Sequence, residues 1–149
     1  MSDLSNLYQD LILDHNASPR NFGELDCPTH RKEGSNPLCG DNLVLSLRVE
    51  DDIIVDVRFS GSGCAISKAS ASLMTAALKG KTIGEAEALF ASFKDLLTSL
   101  EPSPASANQL GKLAAFSGVR QFPSRVKCAT LAWHTLEAAL HANDVASTE

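Results

Sequence analysis

No run of apolar residues approaches the roughly 18 that a membrane-spanning helix needs, which excludes a helical membrane protein. There is no block of lysine or arginine either. Thirteen basic residues stand against 18 acidic ones, for a formal net charge of −5. Without a basic footprint the surface is not built for nucleic acid or for an anionic membrane, so a protein partner or a small ligand is expected. The opening stretch MSDLSNLYQD lacks the basic and apolar regions of a secretory leader, and a cytoplasmic location is expected. Cysteine is scarce: Cys27, Cys39, Cys64 and Cys128. In a reducing compartment these stay thiols, and clustered ones point to metal or catalysis before disulfides. Their spacing carries no zinc-finger signature.

With 149 residues, 44% of them apolar and 21% charged, the chain is expected to fold as one domain over 1–149 with a sizeable core. Leu4, Leu7, Tyr8, Leu11 and Ile12 recur at three- and four-residue intervals, predicting an amphipathic helix over 3–16 that stops before Pro19. Thr29 to Gly34 is a candidate edge strand. Leu43, Leu45, Leu47 and Val49 alternate with polar positions, as do Ile53, Val55, Val57 and Phe59, and Glu50-Asp51-Asp52 marks the hairpin between them. Helices are expected near 65–79, 83–97 and 123–141, with a shorter one around 109–116. Thr82 and Glu85 have capping-box spacing, and Gly80 suits the position just past a helix end. TSLEPSPASAN reads as a surface loop or insertion, and the tail NDVASTE is expected to fray. Strands first and helices after predict an α+β fold: a small antiparallel three-stranded sheet with helices packed on one face.

Three cysteines fall at element ends, where side chains from remote parts of a chain can meet. Cys39 precedes a strand, Cys64 closes GSGC between strand and helix, and Cys128 lies in the first turns of the last helix. Thiolates and carboxylates both ligate zinc, usually four to an ion, and Cys39, Asp41, Cys64 and Cys128 make one set. Gly40, Gly61 and Gly63 free the backbone beside them. Arg125 and Lys127 are placed to offset the excess negative charge of such a set, although basic residues at a helix start are as often merely solvated. A lone cysteine is also commonly a small buried hydrophobe, and at this level both readings stay open. For Cys27, without acid, histidine or glycine hinge, the inert buried role is expected. His15, His30, His134 and His141 show no ligand spacing. Val126, Ala129, Trp133, Leu136 and Leu140, with Phe90 and Phe93, read as core.

LYQDLILDHNASPRN, NPLCGD, FSGSGCAISKASASLM and FPSRVKCATLAW, in that order, resemble the U-type iron-sulfur cluster assembly proteins (IscU/NifU N-terminal-like) over nearly the whole chain. Within them the sequence looks like the SufU branch. IscU-like scaffolds carry a histidine immediately before the last cysteine, where this chain has Lys127, and a proline-rich chaperone-recognition segment where it has FPSRVKC. The segment from about 98 to 121 resembles the SufU insertion.

The resemblance implies a two-layer SufE/IscU-like sandwich and one zinc on Cys39, Asp41, Cys64 and Cys128. It implies sulfur uptake at Cys39 from the persulfide of a pyridoxal-phosphate, SufS-like cysteine desulfurase, a sulfurtransferase role, with sulfur passing to a downstream assembly scaffold. Arg125 matches the family's arginine for partner docking or ligand exchange, the exchange being one in which a desulfurase histidine frees Cys39 from zinc. The alternative implied function is a scaffold on which an iron-sulfur cluster is itself assembled on the same cysteines, with iron in place of zinc.

Overall fold

In the computed structural model, residues 2–36, 40–98, 110, 113, 116, 119, 122–141 and 146–147 are described. Helix α1 spans Ser2–Ala17, β1 His30–Asn36, β2 Asp41–Glu50, β3 Ile53–Ser62, α2 Ala65–Leu78, α3 Ile83–Thr98, α4 Pro123–Leu140 and β4 Ala146–Ser147. Strands β1, β2 and β3 form the expected antiparallel sheet, and β4 adds two residues parallel to β1, in the order β3-β2-β1-β4. The other tail residues expected to fray, and most of the 98–121 insertion, lie outside the described residues. Of the short helix expected at 109–116, Leu110, Leu113 and Phe116 are described, and all three are buried together with Val119.

The β2–β3 hairpin turns through Asp51 and Asp52, both at positive φ (53° and 64°), which is the backbone of a two-residue type I′ turn and matches the strand twist. Leu43, Leu45 and Leu47 point into the core as the alternation predicts. The inward face expected for β3 is half wrong. Val57 and Phe59 are buried, but Ile53 and Val55 are exposed and Ile54 is fully buried. Arg48 pairs with Asp56 while Val49 pairs with Ile54, so Val55 is an extra residue, a β-bulge. The bulge inverts the in-out parity on its hairpin side.

Helices α2 and α4 cover the sheet, α1 packs on α2, and α3 on α4. Helix α2 approaches its neighbours closely because Ala69, Ser70, Ala71 and Ser72 are small and fully buried. Their hydroxyls are satisfied: Ser70 donates to the Ala129 carbonyl and accepts from Trp133 Nε1, and Ser72 bonds His15 Nδ1 (2.6 Å) and accepts from Arg20 N (2.7 Å). Phe90 and Phe93 stack on Trp133 at 5.9 and 4.8 Å, the aromatic core the sequence predicts. Backbone bonds from Gly23 to Phe59 and from Phe59 to Asn21 cover the outer edge of β3. The capping box forms reciprocally, Thr82 N to Glu85 Oε1 at 2.9 Å and Glu85 N to Thr82 Oγ1 at 3.1 Å, and Gly80 (φ +84°) follows α2.

The histidines lie in structural or surface settings. His141 pairs with Glu87 at 3.0 Å, and His134 sits edge-on to Phe90. Burial, reinforced by Lys94, lowers the His134 pKa below its ordinary value, which keeps the ring neutral.

Candidate metal centre

The site is built at one end of the helix-covered sheet face. Asn36, the last residue of β1, lies opposite Asp41, the first of β2, and Leu43 pairs with Gly61 near the end of β3. On that end rest the starts of α2 and α4. Asp41 is buried, although acidic, because its carboxylate is used: Oδ1 accepts the Cys64 backbone N–H at 2.8 Å, and Oδ2 lies 3.9 Å from Cys64 Sγ. Cys64 is the N-cap of α2, its sulfur accepting from Ser67 N at 3.4 Å. That places the sulfur at the positive end of the helix. Cys128 comes one and a half turns into α4 and is 3% exposed, and its sulfur accepts from Asn36 Nδ2 at 3.6 Å.

Glycines let these parts approach. A Cβ on Gly63 would sit 2.8 Å from Asp41 Oδ1, and Gly40 takes φ +71° just before Asp41. The outcome is a cluster in which Asp41, Cys64 and Cys128 each bring one ligand atom within 4.8 Å of the others. Four ligands around zinc, with Zn–S near 2.3 Å, stand about 3.8 Å apart, so a small closure of this trio would suffice. A buried carboxylate beside two thiols, with its charge met chiefly by N–H and S–H dipoles, is a setting that a divalent cation completes. The residues fit the ion.

Cys39 lies outside the described residues. Cys27 does not join the cluster, and contrary to the buried role expected for it, its side chain is exposed. Asp26-Cys27-Pro28 belongs to the irregular connection before β1, where Asp26 and Cys27 are both exposed. Arg125 is exposed in the first turn of α4, its guanidinium 4.5 Å over the Phe122 ring. Asn36 was not foreseen as a site residue: its signal, a buried polar side chain at a strand end, exists only once the fold is known.

The family model described as NifU-like N terminal domain matches residues 7–129. The chain belongs to that family. Among relatives of this NifU-like domain, it is 42% identical over 136 residues to a zinc-dependent sulfurtransferase SufU of Bacillus subtilis (strain 168), covering 91% of this chain and 90% of that protein. It is 40% identical over 140 residues to an iron-sulfur cluster assembly scaffold protein IscU of Streptococcus pyogenes serotype M1, covering 94% and 86%. A crystal structure of a candidate SUF-system scaffold protein from Fervidobacterium islandicum AW-1 superposes with a TM-score of 0.83 at 36% identity, covering 91% of this chain and 97% of that one. Among the described residues, no helix is long and apolar enough to cross a membrane.

Proposed function

We propose that this NifU-like domain protein is a zinc-dependent sulfur acceptor and carrier in iron-sulfur cluster assembly, taking persulfide sulfur on Cys39 from a cysteine desulfurase. The observation that carries the reading is the convergence of Asp41, Cys64 and Cys128 at one end of the sheet. Similarity along most of the chain to a zinc-dependent sulfurtransferase supports it. Two peptide units separate Cys39 from Asp41, a reach of at most about 7.6 Å between their Cα atoms, so the fourth ligand is within range. Lys127 stands where the IscU-like scaffolds that the sequence resembles carry a histidine, a departure that favours a carrier over a scaffold.

Cys39, Asp41, Cys64 and Cys128 would hold zinc, which when bound supplies the charge that keeps the thiols deprotonated at neutral pH. The chain's own residues do the rest. Asp41 holds the start of β2 against the start of α2 through the Cys64 N–H. Cys39, next to the turn-permitting Gly40, is the thiolate that attacks. Its sulfur forms a bond to the terminal sulfur of the protonated desulfurase persulfide (–S–SH) while the bond to the desulfurase cysteine breaks, so that Cys39 carries the –S–SH and that cysteine leaves as thiolate. One S–S bond is made and one is lost, with no net redox change. Exposed Arg125, at the protein surface near Cys128, serves partner docking or ligand exchange. The sulfur then passes to a downstream assembly scaffold.

A second reading, a scaffold that itself carries the cluster, is favoured by the similarity to IscU proteins and by a thiolate set that also suits iron. A colourless protein with one zinc supports the carrier, and a brown one with a sulfide-to-iron charge-transfer band the scaffold. Adding the parent protein should accelerate a SufS-like desulfurase, and Cys39→Ala should return turnover to that of the desulfurase alone. Unchanged stimulation by the variant would leave only a zinc-stapled interaction module.

A further inference from the structure

We infer that the sheet face turned away from the helices carries a small binding cleft for a free amino acid, Arg48 and Arg58 taking its α-carboxylate and Asp26 its α-ammonium group. Ser46, Arg48, Asp56 and Arg58 alternate with the inward Leu45, Leu47, Val57 and Phe59, so all four share the outer face. Ser46 pairs with Arg58, and Arg48 with Asp56. The connection from α1 to β1 crosses over them: Gly23 N donates to the Phe59 carbonyl at 2.7 Å, Leu25 N to Ser46 Oγ at 3.2 Å, and Thr29 N to the Leu47 carbonyl at 2.9 Å. Between this crossing segment and the sheet lies a cleft of about 250 Å³ lined by Glu24, Leu25, Asp26, Arg48, Asp56 and Arg58. Arg58 Nη1 lies beside Gly23, 4.0 Å from where a Cβ there would sit.

The charges in the cleft are sorted. Two of its three carboxylates are held by cations from outside it: Glu24 Oε1 lies 3.3 Å from Arg31 Nε, and Asp56 Oδ1 accepts the Val57 N–H at 2.9 Å and lies 3.3 Å from Lys79 Nζ. Asp56 is thus engaged away from Arg48, its cross-strand neighbour. Among the described residues, the side chains of Arg48, Arg58 and Asp26 have no hydrogen-bond or ion-pair partner. Guanidinium groups present their N–H donors as a planar fork that matches a carboxylate, so two unpaired ones in a single cleft call for that group. With Glu24 and Asp56 offset by Arg31 and Lys79, two positive charges and one negative remain. A carboxylate on the arginines and an ammonium on Asp26 give all three a partner, whereas a plain anion would meet Asp26 as a repelling charge. The cleft is smaller than the roughly 300–1,000 Å³ of pockets for drug-sized ligands, and Leu25 is its one apolar wall, so the amino acid has a small side chain. It stands apart from the metal centre, since Ser46, the partner of Arg58, lies about 17 Å along β2 from Asp41 and faces the other way.

The test titrates the full chain with L-alanine, acetate, methylammonium and inorganic phosphate at constant ionic strength, following arginine Nε–H and backbone N–H resonances by NMR. L-Alanine should shift the Arg48 and Arg58 Nε–H and the Asp26 amide along one saturable curve with a millimolar midpoint, and should bind more tightly than the other three. Arg48→Gln and Arg58→Gln should each weaken alanine about 10-fold, as expected for a lost hydrogen bond to a charged group. Asp26→Asn should weaken alanine and leave acetate unchanged, a split that a merely structural side chain does not produce. Alanine shifts that are absent or do not saturate overturn the inference, as does acetate or phosphate binding as tightly as alanine, or an Asp26→Asn protein that keeps the parental preference for alanine over acetate. If a variant does not fold, the parent's ranking of the four probes decides. Zinc-free protein serves as well as zinc-loaded, so failure of the zinc reading leaves the result standing.

Discussion

Cys128→Ala is expected to weaken zinc binding by more than about 100-fold, since even the residues behind metal ligands cost about 10- to 100-fold when replaced. Cys128 is buried on the inner face of α4 with its sulfur near both Asp41 and Cys64, so its removal takes one candidate ligand out of the cluster. The metal-free fold should survive, because alanine fits the helix and the loss is of one sulfur atom. Added zinc raises the melting temperature of the parent by mass action, and that rise should vanish in the variant. Asp41→Ala should weaken zinc less, because three thiolates remain, and should cost fold stability by stranding the Cys64 N–H. Chelator competition and thermal melts with and without zinc measure both. A Cys128→Ala protein that still holds stoichiometric zinc would remove Cys128 from the ligand set.

Gly61→Ala carries the largest expected cost to the fold. Gly61 takes φ +130°, which side chains rarely adopt, and a Cβ there would approach the Asn42 carbonyl oxygen to 2.2 Å and Leu43 Cα to 3.1 Å. These are backbone atoms of the paired strand, so nothing can swing aside. Strain of about 1–3 kcal/mol and overcrowding of about 1–3 kcal/mol together suggest about 3 kcal/mol or more, a fall in melting temperature of about 6–12 °C for a chain of this size. The same displacement pushes the end of β3 away from β2, separating Cys64 from Asp41, and zinc affinity should fall with stability. An unchanged melt would mean that β2 and β3 do not meet as described.

What could be read in advance was local. The Thr82–Glu85 capping box, the Asp51-Asp52 turn and the stripe carrying Trp133 each depend on residues within a few positions, so the pattern contains the cause. The parity of β3 was lost because Ile53, Ile54 and Val55 are all apolar, and alternation cannot say where a bulge falls among three hydrophobes. Cys27 was misplaced because residue type suggests burial, whereas burial needs an element to pack over it. The site was partly legible, since cysteines at element ends beside glycines mark places where chains converge. Asn36 was not, because what gives it meaning is a sulfur 92 residues away.

Incubating the zinc-loaded protein with a SufS-like desulfurase and cysteine, then locating added sulfur by mass spectrometry without reductant, tests the account most directly. A gain of about 32 Da, one sulfur atom, on the peptide containing Cys39 is the predicted result, on the chemistry of persulfide exchange. Sulfur found only on exposed Cys27, or on no cysteine while the desulfurase turns over, would contradict it.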